Sequence, residues 1–146
     1  MIADADAFWF SKDGTTLPDT IRDFKYFDVI YGRWSVFSCD AKDTHPKSVR
    51  KHLFMRHPHL GAHEMSKWIV KTTALTHSGA IGVHCISGLD ACLTTTATER
   101  LQINHYITQS LPFWRDIKMT RGGVHERVKD SVRDVQTFNE IDLSSL

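Results

Sequence analysis

Leu101-Gln102-Ile103-Asn104-His105-Tyr106-Ile107-Thr108-Gln109-Ser110 is the stretch that decides the fold of this 146-residue chain. Leu101 and Ile103 alternate with polar residues, as in a half-buried β-strand, and Tyr106 extends the apolar series. Ser110 is suited to cap a helix that runs through Met119, because serine is a preferred N-cap residue. The proline at position 112 is tolerated in the first turn of this helix. The stretch therefore predicts a strand followed by a helix, with His105 near the end of the strand.

The rest of the chain alternates between strand and helix patterns. Apolar runs predict four more strands, over residues 1–10, 27–37, 67–73 and 80–86, with a bulge or kink expected at Gly32. Asp19 is expected to cap a short helix that runs toward Phe24, and residues 42–56 to form a basic loop with a short helix. A final amphipathic helix is predicted from one apolar stripe, formed by Val124, Val128, Val132, Val135 and Phe138. These elements predict an α/β fold whose mixed sheet is flanked by helices.

Composition narrows the class of protein. The chain is 41% hydrophobic and 24% charged, as expected of a single globular domain of this length. Its net charge of +1 argues against a nucleic-acid backbone or an anionic membrane as the main partner, so any site for a polyanion must be local.

Three sequence features indicate where in the cell the protein is located. No apolar stretch approaches the roughly 20 residues of a membrane span. Met1 leads straight to Asp4 and Asp6, without the basic start of a secretory signal. The three cysteines are an odd number and contain no Cys-x-x-Cys pair, which favours a reducing compartment. We therefore expect a cytoplasmic protein without a membrane span.

Asp4-Ala5-Asp6 is the first candidate site. In an extended chain these two carboxylates point the same way, and hard oxygen ligands aimed at one spot suit Mg²⁺ or Mn²⁺. The alternative interpretation is a solvated N-terminal turn.

Nine histidines give further candidates. Three of them, His57, His59 and His63, are close together but lack a recognised zinc spacing, so a small histidine-rich metal carrier stays open as an alternative function. His84 and His105 lie near the ends of predicted strands, where each is either a ligand or a hydrogen-bonded core residue. Catalysis by a cysteine nucleophile is disfavoured, because His84 and Cys85 would point to opposite faces of a strand.

Donors and glycines follow the Asn-His-Tyr stretch. Lys118 and Arg121 can hold phosphate by charge-assisted hydrogen bonds, and the two glycines after Arg121 allow close backbone approach. The alternative is an ordinary helix that ends in a basic turn and a glycine.

Taken in order, these pieces resemble the family-2-like glycosyltransferases of the GT-A fold, including the related family 92 type. Residues 4–8 resemble an Asp-x-Asp-Glu-Phe element, residues 34–38 a Trp-x-x-Phe-Gly segment, and residues 67–71 a Lys-Ser-Ile-Val-Arg/Lys strand. Residues 82–84 are similar to a Gly-Val-His element. The most specific match runs from Leu101 to the glycine after Arg121 and resembles Leu-x-Asn-His-Tyr-x-x-Lys-Ser-x-x-x-Phe-x-x-Lys-x-x-Arg-Gly.

The resemblance implies transfer of a sugar from a nucleotide-diphosphate donor, a UDP-sugar in particular, to an acceptor hydroxyl on a glycan. It implies a bound Mn²⁺ or Mg²⁺ and inversion at the sugar. Residues are assigned by position: Asp6, Asp4 and His105 hold the metal, and Lys118 and Arg121 face the donor phosphates. Asp40 is the first choice for the catalytic base, ahead of Glu64 and Asp90.

The chain also departs from the family pattern. Ala7, Ser38 and Gln109 stand where the family has glutamate, glycine and lysine. Only three residues precede Asp4, whereas the family has a nucleotide-binding half there. We therefore expect residues 1–146 to be a single, incomplete GT-A domain, with the missing N-terminal half as a possible partner. A non-catalytic glycan-binding or partner-dependent remnant of such an enzyme is the alternative.

Overall fold

An open mixed sheet of six strands is the centre of the architecture. The computed structural model describes residues 1, 3–38, 44–57, 66–77, 81–120 and 133–141. The strands are β1 (Ala7–Ser11), β2 (Val29–Ser38), β3 (Met55–Arg56), β4 (Ser66–Val70), β5 (Thr94–Thr96) and β6 (Leu101–His105). The α-helices are α1 (Leu17–Asp23), α2 (Val49–His52), α3 (Leu111–Phe113) and α4 (Val135–Ile141). The predicted α/β class, with a mixed sheet flanked by helices, is confirmed.

The chain packs as two compact units. The first unit consists of Met1–Ser35 and Gly61–His105, and the second of Val36–Leu60 and Tyr106–Leu146. The boundary falls inside β2, which contributes residues to both. The expectation of one incomplete glycosyltransferase domain stays a prediction.

Strand pairing in the first unit joins distant parts of the sequence. β1 pairs antiparallel with β6, in a register that sets Ala7 opposite His105 and Ser11 opposite Leu101. β2 pairs antiparallel with β4, from Val29 opposite Val70 to Arg33 opposite Ser66, and parallel with β5. The mixture of directions is what the alternating strand and helix patterns predict.

The core of the first unit explains Gly32. Trp9 and Ile103, which are register partners, are buried in a cluster with residues from the other strands. A Cβ at Gly32 would lie 2.4 Å from Cζ3 of Trp9 and 3.3 Å from Cδ1 of Ile103. The glycine pairs regularly with Lys67, so the indole ring, and not the expected bulge, requires it.

Two local predictions in the first unit are wrong. Helix α1 is capped by Thr16, whose hydroxyl accepts a hydrogen bond from the Asp19 amide, so Asp19 lies in the first turn. Where a strand was predicted over 80–86, Ile81 and Ile86 form one isolated antiparallel bridge. The Gly82 amide donates to the Cys85 carbonyl at 2.8 Å, which closes a tight turn and leaves no room for an extended strand.

The second unit contains the helix predicted after Ser110. The Ser110 hydroxyl accepts from the Phe113 amide at 3.2 Å, so the predicted cap is confirmed, and α3 continues as a π-helical segment over Trp114–Lys118. The Trp114 ring packs on Phe138 of α4 at a centroid distance of 5.7 Å. The predicted final helix is present over Val135–Ile141, while residues 124–132 of its stripe lie outside the described residues.

Helices of the described residues are all too short or too polar to cross a membrane.

Candidate metal centre

Asp4, Asp6 and His105 converge on one point of the first unit. One ligand atom from each of the three residues lies within 4.8 Å of the others. The register of β1 and β6 explains this convergence, because Ala7 pairs with His105 and Asp6 immediately precedes Ala7. His105 Nε2 consequently lies 3.2 Å from Asp6 Oδ1.

A turn, and not an extended chain, directs the two carboxylates. The Ala7 amide donates a hydrogen bond to the Asp4 carbonyl at 3.0 Å, which closes a turn over residues 4–7. The expectation of an extended Asp-x-Asp segment is therefore wrong, but the expected convergence of its carboxylates is present. Asp6 is buried, so the alternative of a wholly solvated turn does not hold for it either.

His105 is held tightly in the core. It is 4% exposed, and its ring lies 4.1 Å from the Trp34 ring, centroid to centroid. Its Nδ1 atom is buried without a hydrogen-bond partner among the described residues. An unsatisfied buried nitrogen costs free energy, so this ring has an unmet demand for a ligand or a proton acceptor.

Lys67 is the member of the centre that sequence reasoning missed. It is 0% exposed, and its Nζ lies 3.2 Å from Asp4 Oδ2. The same Nζ lies 5.5 Å from the Trp34 ring, within reach of a cation–π interaction. A lysine that interrupts the apolar run of β4 was the available signal, because a charge inside a buried strand requires a partner.

The net charge of the centre is negative, which favours binding of a cation. Two carboxylates and one ammonium give a net charge of −1 when the imidazole is neutral. Carboxylate oxygens and one imidazole nitrogen form a donor set that Mn²⁺ or Mg²⁺ accepts. This donor chemistry fits a divalent cation.

The other residues predicted for the site are Asp40, Glu64, Asp90, Lys118 and Arg121. Asp40, Glu64 and Arg121 lie outside the described residues. Lys118 belongs to the second unit, where its Nζ lies 5.8 Å from the Phe113 ring centroid. Asp90 accepts a hydrogen bond from the Cys92 amide at 2.8 Å and so caps a short 3₁₀ helix, Ala91–Leu93.

The other histidine and cysteine candidates are described by their contacts and their exposure. His84 is half-buried, forms a 3.1 Å hydrogen bond with the Ser66 carbonyl and packs on Trp34. Cys85 and Cys92 are exposed free thiols. Of the three clustered histidines, only His57 is among the described residues, so the histidine-rich carrier is not tested.

Comparison with family models and with curated proteins finds no relative. No family model matches the sequence. No curated protein matches it either.

Proposed function

We propose that this chain is the metal- and acceptor-binding part of a glycosyltransferase, which moves a sugar from a nucleotide-diphosphate donor, a UDP-sugar in particular, to a hydroxyl of a glycan. One observation carries the proposal: His105, which is far in the sequence from Asp4 and Asp6, has a ligand atom within 4.8 Å of theirs. The same three residues are those that the GT-A resemblance assigns to the metal.

Each side chain of the centre has a distinct part in this proposal. Asp6 and His105 would bind Mn²⁺ or Mg²⁺ from buried positions, where their geometry is fixed by the β1–β6 pairing. Lys67 holds the Asp4 carboxylate in one orientation and partly neutralises it. Trp34 covers one side of the imidazole and keeps water from it. When bound, the cation would stabilise the negative charge that develops on the departing nucleoside diphosphate.

The roles of three further residues rest on the resemblance alone. Lys118 and Arg121 are proposed to neutralise the donor phosphates, because cations are the main catalytic need when the leaving group is a diphosphate. Asp40 is proposed as the base that accepts the proton of the acceptor hydroxyl in an inverting transfer.

Calorimetric titration tests the proposal. The purified chain is titrated with Mn²⁺, then with UDP and a UDP-sugar in the presence and absence of Mn²⁺. Saturable Mn²⁺ binding that is lost in Asp6→Asn, together with metal-dependent donor binding or hydrolysis, is the expected result. Asp19→Asn, at an exposed carboxylate of α1, is the matched control and is expected to bind like the wild type.

The outcomes distinguish a glycosyltransferase from a non-catalytic remnant of such an enzyme. Mn²⁺ binding without any donor binding would favour the non-catalytic or partner-dependent remnant. Mn²⁺ binding that is unchanged in Asp6→Asn would remove the observation on which the proposal depends.

A further inference from the structure

Residues 44–57 of the second unit combine strong positive charge with exposed apolar side chains. The sequence has no Asp or Glu between Asp43 and Glu64. The basic patch is defined here by six residues: Lys47, Arg50, Lys51, Phe54, Met55 and Arg56. All six are exposed to solvent. The metal centre and the glycosyl-transfer proposal make no use of this patch.

Phe54 is the unusual member of the patch. It is 73% exposed, and its neighbour Met55 is 37% exposed, so two consecutive apolar side chains face water. Folding alone does not account for this exposure, because burial of such side chains stabilises a domain. An aromatic side chain this exposed, with four exposed cations in the same short stretch, is typical of an interaction site.

The patch has a fixed base. Leu53 is buried, directly before Phe54. On the other side, Met55 and Arg56 form β3, which pairs antiparallel with Ser38 and Phe37 at the end of β2. The His57 amide donates to the Val36 carbonyl at 2.9 Å. Phe54 therefore projects from backbone that is anchored on both sides.

The charge of the chain is unevenly divided between its units. The second unit contains eleven Lys and Arg against eight Asp and Glu, whereas the first contains seven against nine. The overall charge of +1 hides this asymmetry. Such a difference in charge between two parts of one chain is typical of proteins that bind an anionic surface.

We propose that the basic patch docks on an anionic lipid surface, with Phe54 inserted among the headgroups and the cations on lipid phosphates and carboxylates. Cationic side chains next to an exposed aromatic residue match the charge and the apolar boundary of such a surface. A nucleic acid would satisfy the cations, but single strands are held on several aromatic side chains, and the patch has only Phe54. A lipid surface needs only one inserted aromatic side chain among cations.

Co-sedimentation with vesicles tests the proposal on the full chain. The expected result is binding to phosphatidylcholine vesicles that contain phosphatidylserine, little binding to pure phosphatidylcholine, and loss of binding at high salt. Lys47→Glu with Lys51→Glu should weaken binding by at least about fivefold for each cation removed. Phe54→Ser should weaken it by roughly tenfold.

A matched control is available in the first unit. Tyr26 is 74% exposed and also adjoins a lysine, Lys25, which lies 5.1 Å from its ring centroid. Tyr26→Ser should leave vesicle binding unchanged. Because all the substituted side chains are exposed, the variants should keep the wild-type circular dichroism spectrum and melting temperature.

Three outcomes would overturn the proposal. One is equal binding to vesicles with and without phosphatidylserine. Another is a Phe54→Ser variant that binds as well as the wild type. The third is single-stranded RNA that displaces the chain from vesicles and whose own binding needs the lysines but not Phe54, since that result would assign the patch to nucleic acid.

Discussion

The Nζ atom of Lys67 lies 3.3 Å from Oδ1 and 3.2 Å from Oδ2 of Asp4, although Lys67 itself is fully buried. Burial of an ammonium is costly unless a counter-charge accompanies it, and Asp4 supplies that charge. The carboxylate is therefore shared between an internal cation and any divalent ion that the centre binds. Lys67 holds Asp4 in place and at the same time competes for it.

Replacement of this internal cation should strengthen metal binding. In Lys67→Met, Mn²⁺ affinity is expected to rise by at least about tenfold, because the repulsion between the ammonium and the divalent ion is removed. Because only one partner of the ion pair is removed and Asp4 loses its counter-charge, the free energy of unfolding of the metal-free chain should fall, by up to roughly 3–5 kcal/mol. Calorimetry and urea denaturation measure the two quantities.

The control for this prediction lies on the same stretch of chain. Lys71 forms a 3.0 Å ion pair with Asp28 that is partly exposed to solvent. Lys71→Met should leave Mn²⁺ affinity unchanged. A weaker Mn²⁺ affinity in Lys67→Met would mean that orientation of Asp4 outweighs repulsion.

Loss of the imidazole should cost less metal affinity than loss of the buried carboxylate. His105→Ala is expected to weaken Mn²⁺ binding by roughly tenfold, since water can replace one neutral ligand. Asp6→Asn is expected to reduce binding below detection. Titration of both variants gives the order, and the reverse order would argue against Asp6 as the principal ligand.

Introduction of a methyl group at Gly32 should destabilise the first unit. Gly32→Ala would set a Cβ 2.4 Å from Cζ3 and 2.5 Å from Cη2 of Trp9, so the indole must move. A loss of about 1–3 kcal/mol in the free energy of unfolding is expected from such overpacking. Denaturation with urea measures it.

The Trp9→Phe variant provides the test of this cause. Phenylalanine lacks the outer atoms of the indole, so Gly32→Ala should cost less in the Trp9→Phe background than in the wild type. Equal costs in both backgrounds would point to the backbone at Gly32 and not to Trp9.

Acid should destabilise the chain partly through Asp13. Hydrogen bonds from Ser11 and Thr15, together with Arg100 at 2.7 Å, hold the pKa of the Asp13 carboxyl well below its usual value of 3.8. A lowered pKa in the folded state gives stability that is complete above pH 3.8 and is lost as the pH falls toward the folded-state pKa.

Asp13→Asn should consequently flatten the fall in melting temperature between neutral and strongly acidic solution. Asp116→Asn, at an exposed carboxylate of the second unit, serves as the control and should keep the wild-type slope. Parallel acid curves for Asp13→Asn and the wild type would contradict the assignment.

The sequence predicts the elements of this fold better than their local geometry. The alternation of Leu101 and Ile103 predicts β6, and Ser110 predicts a cap, because both signals depend on neighbouring residues only. The turn over residues 4–7 and the bridge between Ile81 and Ile86 were missed, because backbone hydrogen bonds within those segments override their apolar pattern.

The centre itself was predictable in part. Asp4, Asp6 and His105 were found by resemblance of their motifs, and the β1–β6 register gives the physical reason for their convergence. The pairing of Lys67 with Asp4 could not be read from spacing, since it depends on which strand of the first unit lies beside the turn.

The opposition of Ala7 and His105 would make the proposed cation binding a reporter of strand pairing. A slip of one residue between β1 and β6 would send His105 to the opposite face of the sheet from the acidic turn. Chains in which β1 and β6 pair in the shifted register would therefore lack the complete set of metal ligands. A divalent ion present during refolding would then select, by mass action, the molecules whose two strands have aligned correctly.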